Sequence, residues 1–200
     1  MIVRNHIAAF FIAGVVFSAC DSKKPEESKI TFTRADSLTE IYLMLQDSLH
    51  DSWNLMITDD NRKIKCMKNL LHEVQIGGQF VPGELQSYEH RVDQLCRIRY
   101  TSKNMWNADI VEEYDFASSS LVTELIALAE SYTAYSYNTT LQKLVEEIRD
   151  ADLRVENYRA EYDAIAMRYN QFIDENHGLL KDIADKETLD KKPLFQVAAE

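Results

Sequence analysis

The residues able to carry chemistry in this chain are few, and the first to test are two acid-histidine pairs. Asp47-x-x-His50 and Asp174-x-x-His177 match in spacing the Glu-x-x-His element which, on two helices of a bundle and joined by a glutamate from each of two others, holds a di-iron centre. Aspartate is a short substitute for glutamate, and Asp174 and His177 fall on outward positions of the heptad register set out below. Surface polar residues are the expectation, and no metal is assigned. Zinc fares no better, because neither His-Glu-x-x-His nor Cys-x-x-Cys occurs. The glycines are too scattered for a phosphate-binding loop, and there is no Gly-x-Ser-x-Gly nucleophile turn. No cofactor and no catalytic residue is assigned.

A second constellation is polar rather than catalytic. Tyr158, Tyr162 and Tyr169 recur along one stretch, with Asp163 and Asn170 each one step beyond a tyrosine. A buried hydroxyl without a partner costs about 1–3 kcal/mol, so these five form a candidate polar seam. Hydrogen bonds between helices that fix register are the main reading; a small ligand groove is the other. On the opposite side Leu153, Ala160 and Met167 recur seven apart between Glu146 and Asp174. Three apolar residues in file are a candidate partner surface for a helix from a second copy or another protein.

The elements that must position these residues are helices. Only Gly77, Gly78 and Gly83 around Pro82, and Gly178 near the end, interrupt the chain beyond residue 26 before Pro193. Ser37-Leu-Thr-Glu40 offers a capping box, and apolar residues follow at 3-4 spacing through Leu38, Ile41, Tyr42, Leu45, Leu49, Trp53, Ile57, Ile64, Met67, Leu71 and Val74. This predicts a first helix ending near Ile76. A second runs from Glu84 toward Trp106, and a third over Ile110 to Tyr132. After Asn138, Leu141, Ile148, Val155, Tyr162 and Tyr169 fall seven apart, interleaved with Leu144, Ala151, Tyr158, Ile165 and Phe172. Five heptads of a and d positions predict one long packed helix, stopped by Gly178. The expected fold is all-α, an elongated up-down antiparallel bundle of four helices, or three with a broken middle one. Cys66 and Cys96 would differ in height by roughly 3 Å across the glycine turn. A disulfide is conceivable, but neither lies squarely on its apolar stripe, so two partly buried thiols are expected.

The N-terminus supplies an address. Arg4 is the one charged residue before the run Ile7 to Phe17 and the small pair Ser18-Ala19, the pattern of a signal peptide. The thirteen residues Ile7 to Ala19 would span roughly 20 Å as a helix, short of a hydrocarbon core of about 30 Å. Phe17-Ser-Ala-Cys20 resembles a lipobox, with Phe17 in place of the usual aliphatic residue, in which Cys20 is lipidated and becomes the mature N-terminus; a non-lipidated secretory signal is the alternative. The expected organisation is a signal peptide over 1–19, lipidated Cys20 and polar tether over 20–36, a bundle over 37–177, and a tail over 178–200. Two or more acyl chains would hold such a domain durably on an inner or outer membrane, with the domain extracytoplasmic. With 22 basic against 33 acidic residues the net charge is -11, which argues against phosphate backbones and nucleic acid.

Several pieces together resemble the LemA family. Glu161 to Ile173 carries paired Tyr-Asp and Tyr-Asn steps at Tyr162-Asp163 and Tyr169-Asn170, preceded by Arg159. Arg62-Lys63 with Asn69-Leu70-Leu71 looks like the family's first-helix motif, Leu121 to Tyr132 like its third, and Lys192-Pro193-Leu194-Phe195 like its tail. The chain departs from the family pattern at Lys68, Thr133, Asp163 and Asn176-His177. The resemblance implies an extracytoplasmic helical bundle tied to a membrane, with no agreed molecular activity. The function expected is therefore a lipid-anchored, non-enzymatic scaffold or adaptor of the cell envelope, binding an envelope protein or itself. A metal-dependent enzyme of di-iron type, or a small-ligand-binding envelope protein, is the alternative.

Overall fold

A computed structural model describes residues 33–181 and 189–195. The leader, Cys20 and the tether up to residue 32 lie outside the described residues. The described chain is all-α: α1 (Arg34–Ile76), α2 (Pro82–Ile98), α3 (Ala108–Ser131), a short 3-10 turn (Tyr135–Tyr137) and α4 (Thr139–Leu180). No strand occurs among the described residues. The cross-helix pairs set the directions. Asp59 meets Arg154 and Tyr42 meets Tyr169, so α1 and α4 run antiparallel. Asp60 meets Arg99 and Lys68 meets Asp93, so α2 runs against α1; Asp60 meets Tyr114 and Gly77 meets Tyr132, so α3 runs along α1 and each successive helix reverses the one before. The fold is the up-down bundle, with four helices rather than three.

Three of the four helices start where an N-cap side chain can hold their free N–H groups, and α2 starts on Pro82, which has no N–H to satisfy. α1 begins earlier than the Ser37 box predicts. Thr33 Oγ1 accepts from the Asp36 N–H at 3.2 Å while Asp36 accepts from the Thr33 N–H at 2.8 Å, and this reciprocal cap carries the bundle into the last residues of the expected tether. Asn107 caps α3 by accepting from the Asp109 N–H at 3.1 Å. Asn138 caps α4, accepting from the Leu141 N–H at 2.9 Å, and its Nδ2 also donates to Glu73 at 2.9 Å. One residue thus starts α4 and ties it to the end of α1.

Turns are set by backbone geometry. Gly78 takes φ 70°, the left-handed region that glycine enters without penalty. At its neighbour Gly77 an added Cβ would lie 2.0 Å from the Tyr132 hydroxyl, so the α3–α4 connection closes directly onto the α1–α2 turn. Two expectations need correction. α2 stops at Ile98 rather than near Trp106, because Thr101 and Asn104 form a side-chain-stabilised turn there. Gly178 does not end α4, which continues to Leu180; a helix interior tolerates an isolated glycine at modest cost.

The core is one continuous cluster, with Met67, Leu70, Val74, Val92, Leu125 and Ile148 wholly buried. Along α4 the a positions Leu141, Ile148, Tyr162 and Tyr169 are buried and Val155 half-buried. Of the expected d positions only Ala151 is buried, while Val145, Ala166 and Ile173, each one residue on from a d position, are buried instead. The stripe follows i, i+4, i+7 because α4 packs against two helices at once, which asks for a wider face than a two-stranded seam. Ile41, expected in the α1 stripe, is exposed.

Leu125→Ala, deep in the four-helix part, is expected to cost about 2–5 kcal/mol by urea denaturation. Leu153→Ala, on an exposed face, is expected to change stability by less than about 0.5 kcal/mol.

Candidate functional site

Charged residues interrupt the α1 stripe between Ile57 and Ile64, and there the fold builds its buried polar centre. Lys63, 3% exposed, donates to Ser118 Oγ at 2.9 Å and Asp152 Oδ1 at 3.2 Å, with Asp60 Oδ1 at 3.7 Å. Asp60 in turn accepts from the Tyr114 hydroxyl at 2.6 Å and from Arg99 Nη1 at 3.0 Å. All four helices or their connections contribute. Two cations, Lys63 and Arg99, stand against two carboxylates, Asp60 and Asp152, so the cluster is charge-balanced. Every member is matched to an opposite charge or hydrogen bond, an arrangement that neutralises buried charge and positions helices. Burial pushes the Tyr114 hydroxyl well above its usual range, and the neighbouring Asp60 carboxylate adds to the shift. A cleft of about 360 Å³ opens beside this centre, with Lys63, Ser118, Asp152 and Leu153 in its wall.

A second cluster lies further along α1 and α4, where the tail returns. The Phe195 ring stacks on Trp53 at 6.3 Å between centroids and meets Tyr162 and Tyr100 edge-on at 5.7 and 5.4 Å. Arg159 lies 4.9 Å over the same ring and grips Asp115 through two bonds of 2.6 and 2.7 Å. Offset and edge-on ring pairs with a guanidinium on a face are the favoured geometries for such side chains.

The predicted seam residues divide between these clusters. Tyr162 belongs to the aromatic box. Tyr169 is buried beside Tyr42, with ring centroids 6.1 Å apart, and Lys192 lies 5.3 Å over its face. Tyr158 is half-buried and lines a crevice with Met56 and Asp59. Asp163 accepts from the Phe195 N–H at 2.9 Å, and Asn170 bonds both backbone groups of Lys192. These bonds fasten the chain's own tail, where bonds between helices were expected. Leu153, Ala160 and Met167 are exposed, Leu153 at 76% and Met167 at 51%.

Cysteines and acid-histidine pairs behave separately. Cys66 is buried and Cys96 exposed, both free, so Cys96 is more open than expected. Cys66 Sγ donates to Glu147 at 3.2 Å, and burial with this carboxylate beside it pushes the thiol up to about 11. Asp174 pairs with Lys191 of the tail at 2.8 Å. Among the described residues no three histidine, cysteine or carboxylate side chains converge to hold a metal ion.

The sequence model of the LemA family matches residues 79–200. This chain belongs to the LemA family. No curated protein and no solved structure matches the chain. The matched span of this LemA protein covers the three members of the aromatic box that lie after α1, Tyr100, Tyr162 and Phe195, together with Asp163 and Asn170. Sequence reading alone missed Asp60, Ser118, Asp152 and the box around Phe195. The signal for Asp60 and Lys63 was present, as charged residues three apart inside an apolar stripe; nothing in the sequence announces that the tail folds back.

Asp60→Ala strands the Tyr114 hydroxyl and removes one carboxylate from Lys63 and Arg99, and is expected to cost about 3–5 kcal/mol in urea denaturation. A pH series tests the buried tyrosines. Burial raises Tyr162 from an ordinary 10.0 to about 12, so the unfolded chain releases that proton first and its contribution to stability fades as pH rises from 10 toward 12. The urea midpoint is expected to fall over this window, with a shallower fall for Tyr162→Phe.

Proposed function

We propose that this LemA protein is a lipid-anchored lipoprotein of the bacterial cell envelope that works as a non-enzymatic scaffold or adaptor. The exposed file Leu153, Ala160 and Met167 on α4 carries the reading. Three apolar residues repeat at seven-residue spacing on a helix whose other face is already committed to the core, and a file of that kind suits the apolar stripe of a partner's helix. The charged centre around Lys63 and Asp60 is internally matched, as befits a rigid support more than a reaction centre.

The anchor rests on the sequence of the leader and on Cys20. Residues 21–32 separate Cys20 from the Thr33 cap and reach at most roughly 40 Å when extended, enough to hold the bundle clear of a bilayer surface. Among the described residues no helix is long and apolar enough to cross a membrane; in this scheme attachment comes from acyl chains on Cys20.

A mass spectrum of the mature N-terminus is expected to show a diacylglyceryl group on Cys20 and loss of residues 1–19; an intact leader would remove the anchor. For the adaptor role, Leu153→Glu with Met167→Glu is expected to leave the melting temperature within about 2 °C and to abolish recovery of a cross-linked envelope protein. Unchanged recovery would assign partner binding elsewhere.

A further inference from the structure

The tail is held in the manner of a recognised peptide. Asn170 Nδ2 donates to the Lys192 carbonyl at 2.9 Å while its Oδ1 accepts from the Lys192 N–H at 2.7 Å. One side-chain amide therefore satisfies both backbone groups of one residue, as a neighbouring strand does in a hydrogen-bonded antiparallel pair. Asp163 then takes the Phe195 N–H at 2.9 Å. The two anchors are seven residues apart on α4, roughly 10 Å along a helix. Lys192 and Phe195 are three residues apart, also roughly 10 Å in an extended chain. Two turns of α4 thus measure three residues of extended peptide.

The backbone bonds would hold many sequences; three side-chain contacts select among them. Phe195 fills the box of Trp53, Tyr100 and Tyr162. Lys192 lies over the Tyr169 ring at 5.3 Å, and Lys191 pairs with Asp174 at 2.8 Å. Pro193, between the anchored positions, has no N–H to leave unpaired and a φ suited to extended chain.

We propose that this α1–α4 groove is a recognition site for an extended basic-proline-aromatic segment, and that it takes the Lys191–Phe195 segment of a second copy by tail exchange. The chain's own tail is the occupant the geometry demonstrates. None of the described contacts of Lys191 to Phe195 depends on which copy donates the segment, so exchange keeps each of them and would close a symmetric pair, the low-cost route to a dimer. The tail in cis competes at the high effective concentration of a short linker, which makes exchange a property of crowded copies.

Two experiments on the full chain decide this. A fluorescent synthetic peptide of residues 187–200 is expected to bind the Phe195→Ala protein saturably, at least tenfold more tightly than wild type, with a tenfold loss on adding Asn170→Ala. Absence of binding to Phe195→Ala, or indifference to Asn170→Ala, overturns the site. The second experiment keeps Phe195 and Asn170 intact. In a Cys96→Ser background, Asp174→Cys protein is mixed at high concentration with Lys191→Cys protein and oxidised. A disulfide-linked heterodimer supports exchange between copies, and recovery of monomers alone overturns it.

Discussion

The antiparallel pairing of α1 and α4 sets the terms for everything else, because these two helices outrun the pair that packs beside them. At 43 and 42 residues they are each roughly 65 Å long, whereas the 17 residues of α2 and 24 of α3 give roughly 25 and 35 Å. Four helices can enclose a core only over the shared length. Beyond it, α1 and α4 are left as a two-helix extension whose apolar stripes still need cover. The tail supplies that cover: Leu189 is buried, Phe195 closes the aromatic box, and Asn170 and Asp163 tie the returning backbone to α4.

The two parts are joined by the charged centre near the boundary. Lys63 and Asp60 sit inside an apolar stripe, where an isolated charge would be untenable and a matched set is tolerated because each partner offsets the other's lost hydration. Since Ser118, Tyr114, Arg99 and Asp152 come from the other elements, the matching exists only in one register of all four helices. Hydrophobic packing permits many helix slides of similar energy; a buried network of this kind permits far fewer. Arg159 lies about two turns of α4 beyond Asp152, bound to Asp115 and lying against the Phe195 ring, so the tail and α3 are coupled through a single guanidinium.

The proposed scaffold role would draw on rigidity and surface. The exposed file on α4 and the groove under the tail are on the same long helix, and each offers a repeat that another chain can match, apolar every seven residues in one case and a three-residue extended step in the other. An anchor through Cys20 would fix where that helix is displayed. The LemA match over residues 79–200 takes in the residues of the tail clamp, Asp163, Asn170 and Lys192 to Phe195.

Helical periodicity, the glycine turn at residues 77–78 and the leader pattern are local properties, determined by neighbours in sequence, and reading the chain was enough to place four helices and a candidate anchor. The Tyr-Asp and Tyr-Asn steps were likewise visible as a polar seam. Their partners were not, because a hydrogen bond from Asp163 to residue 195, or from Asn170 to residue 192, depends on a chain reversal that no local preference encodes. The shift of the α4 stripe from a heptad seam to an i, i+4, i+7 face has the same origin. Spacing in the sequence states that one side of a helix is apolar; how wide that side must be is decided only when two helices and a tail close over it.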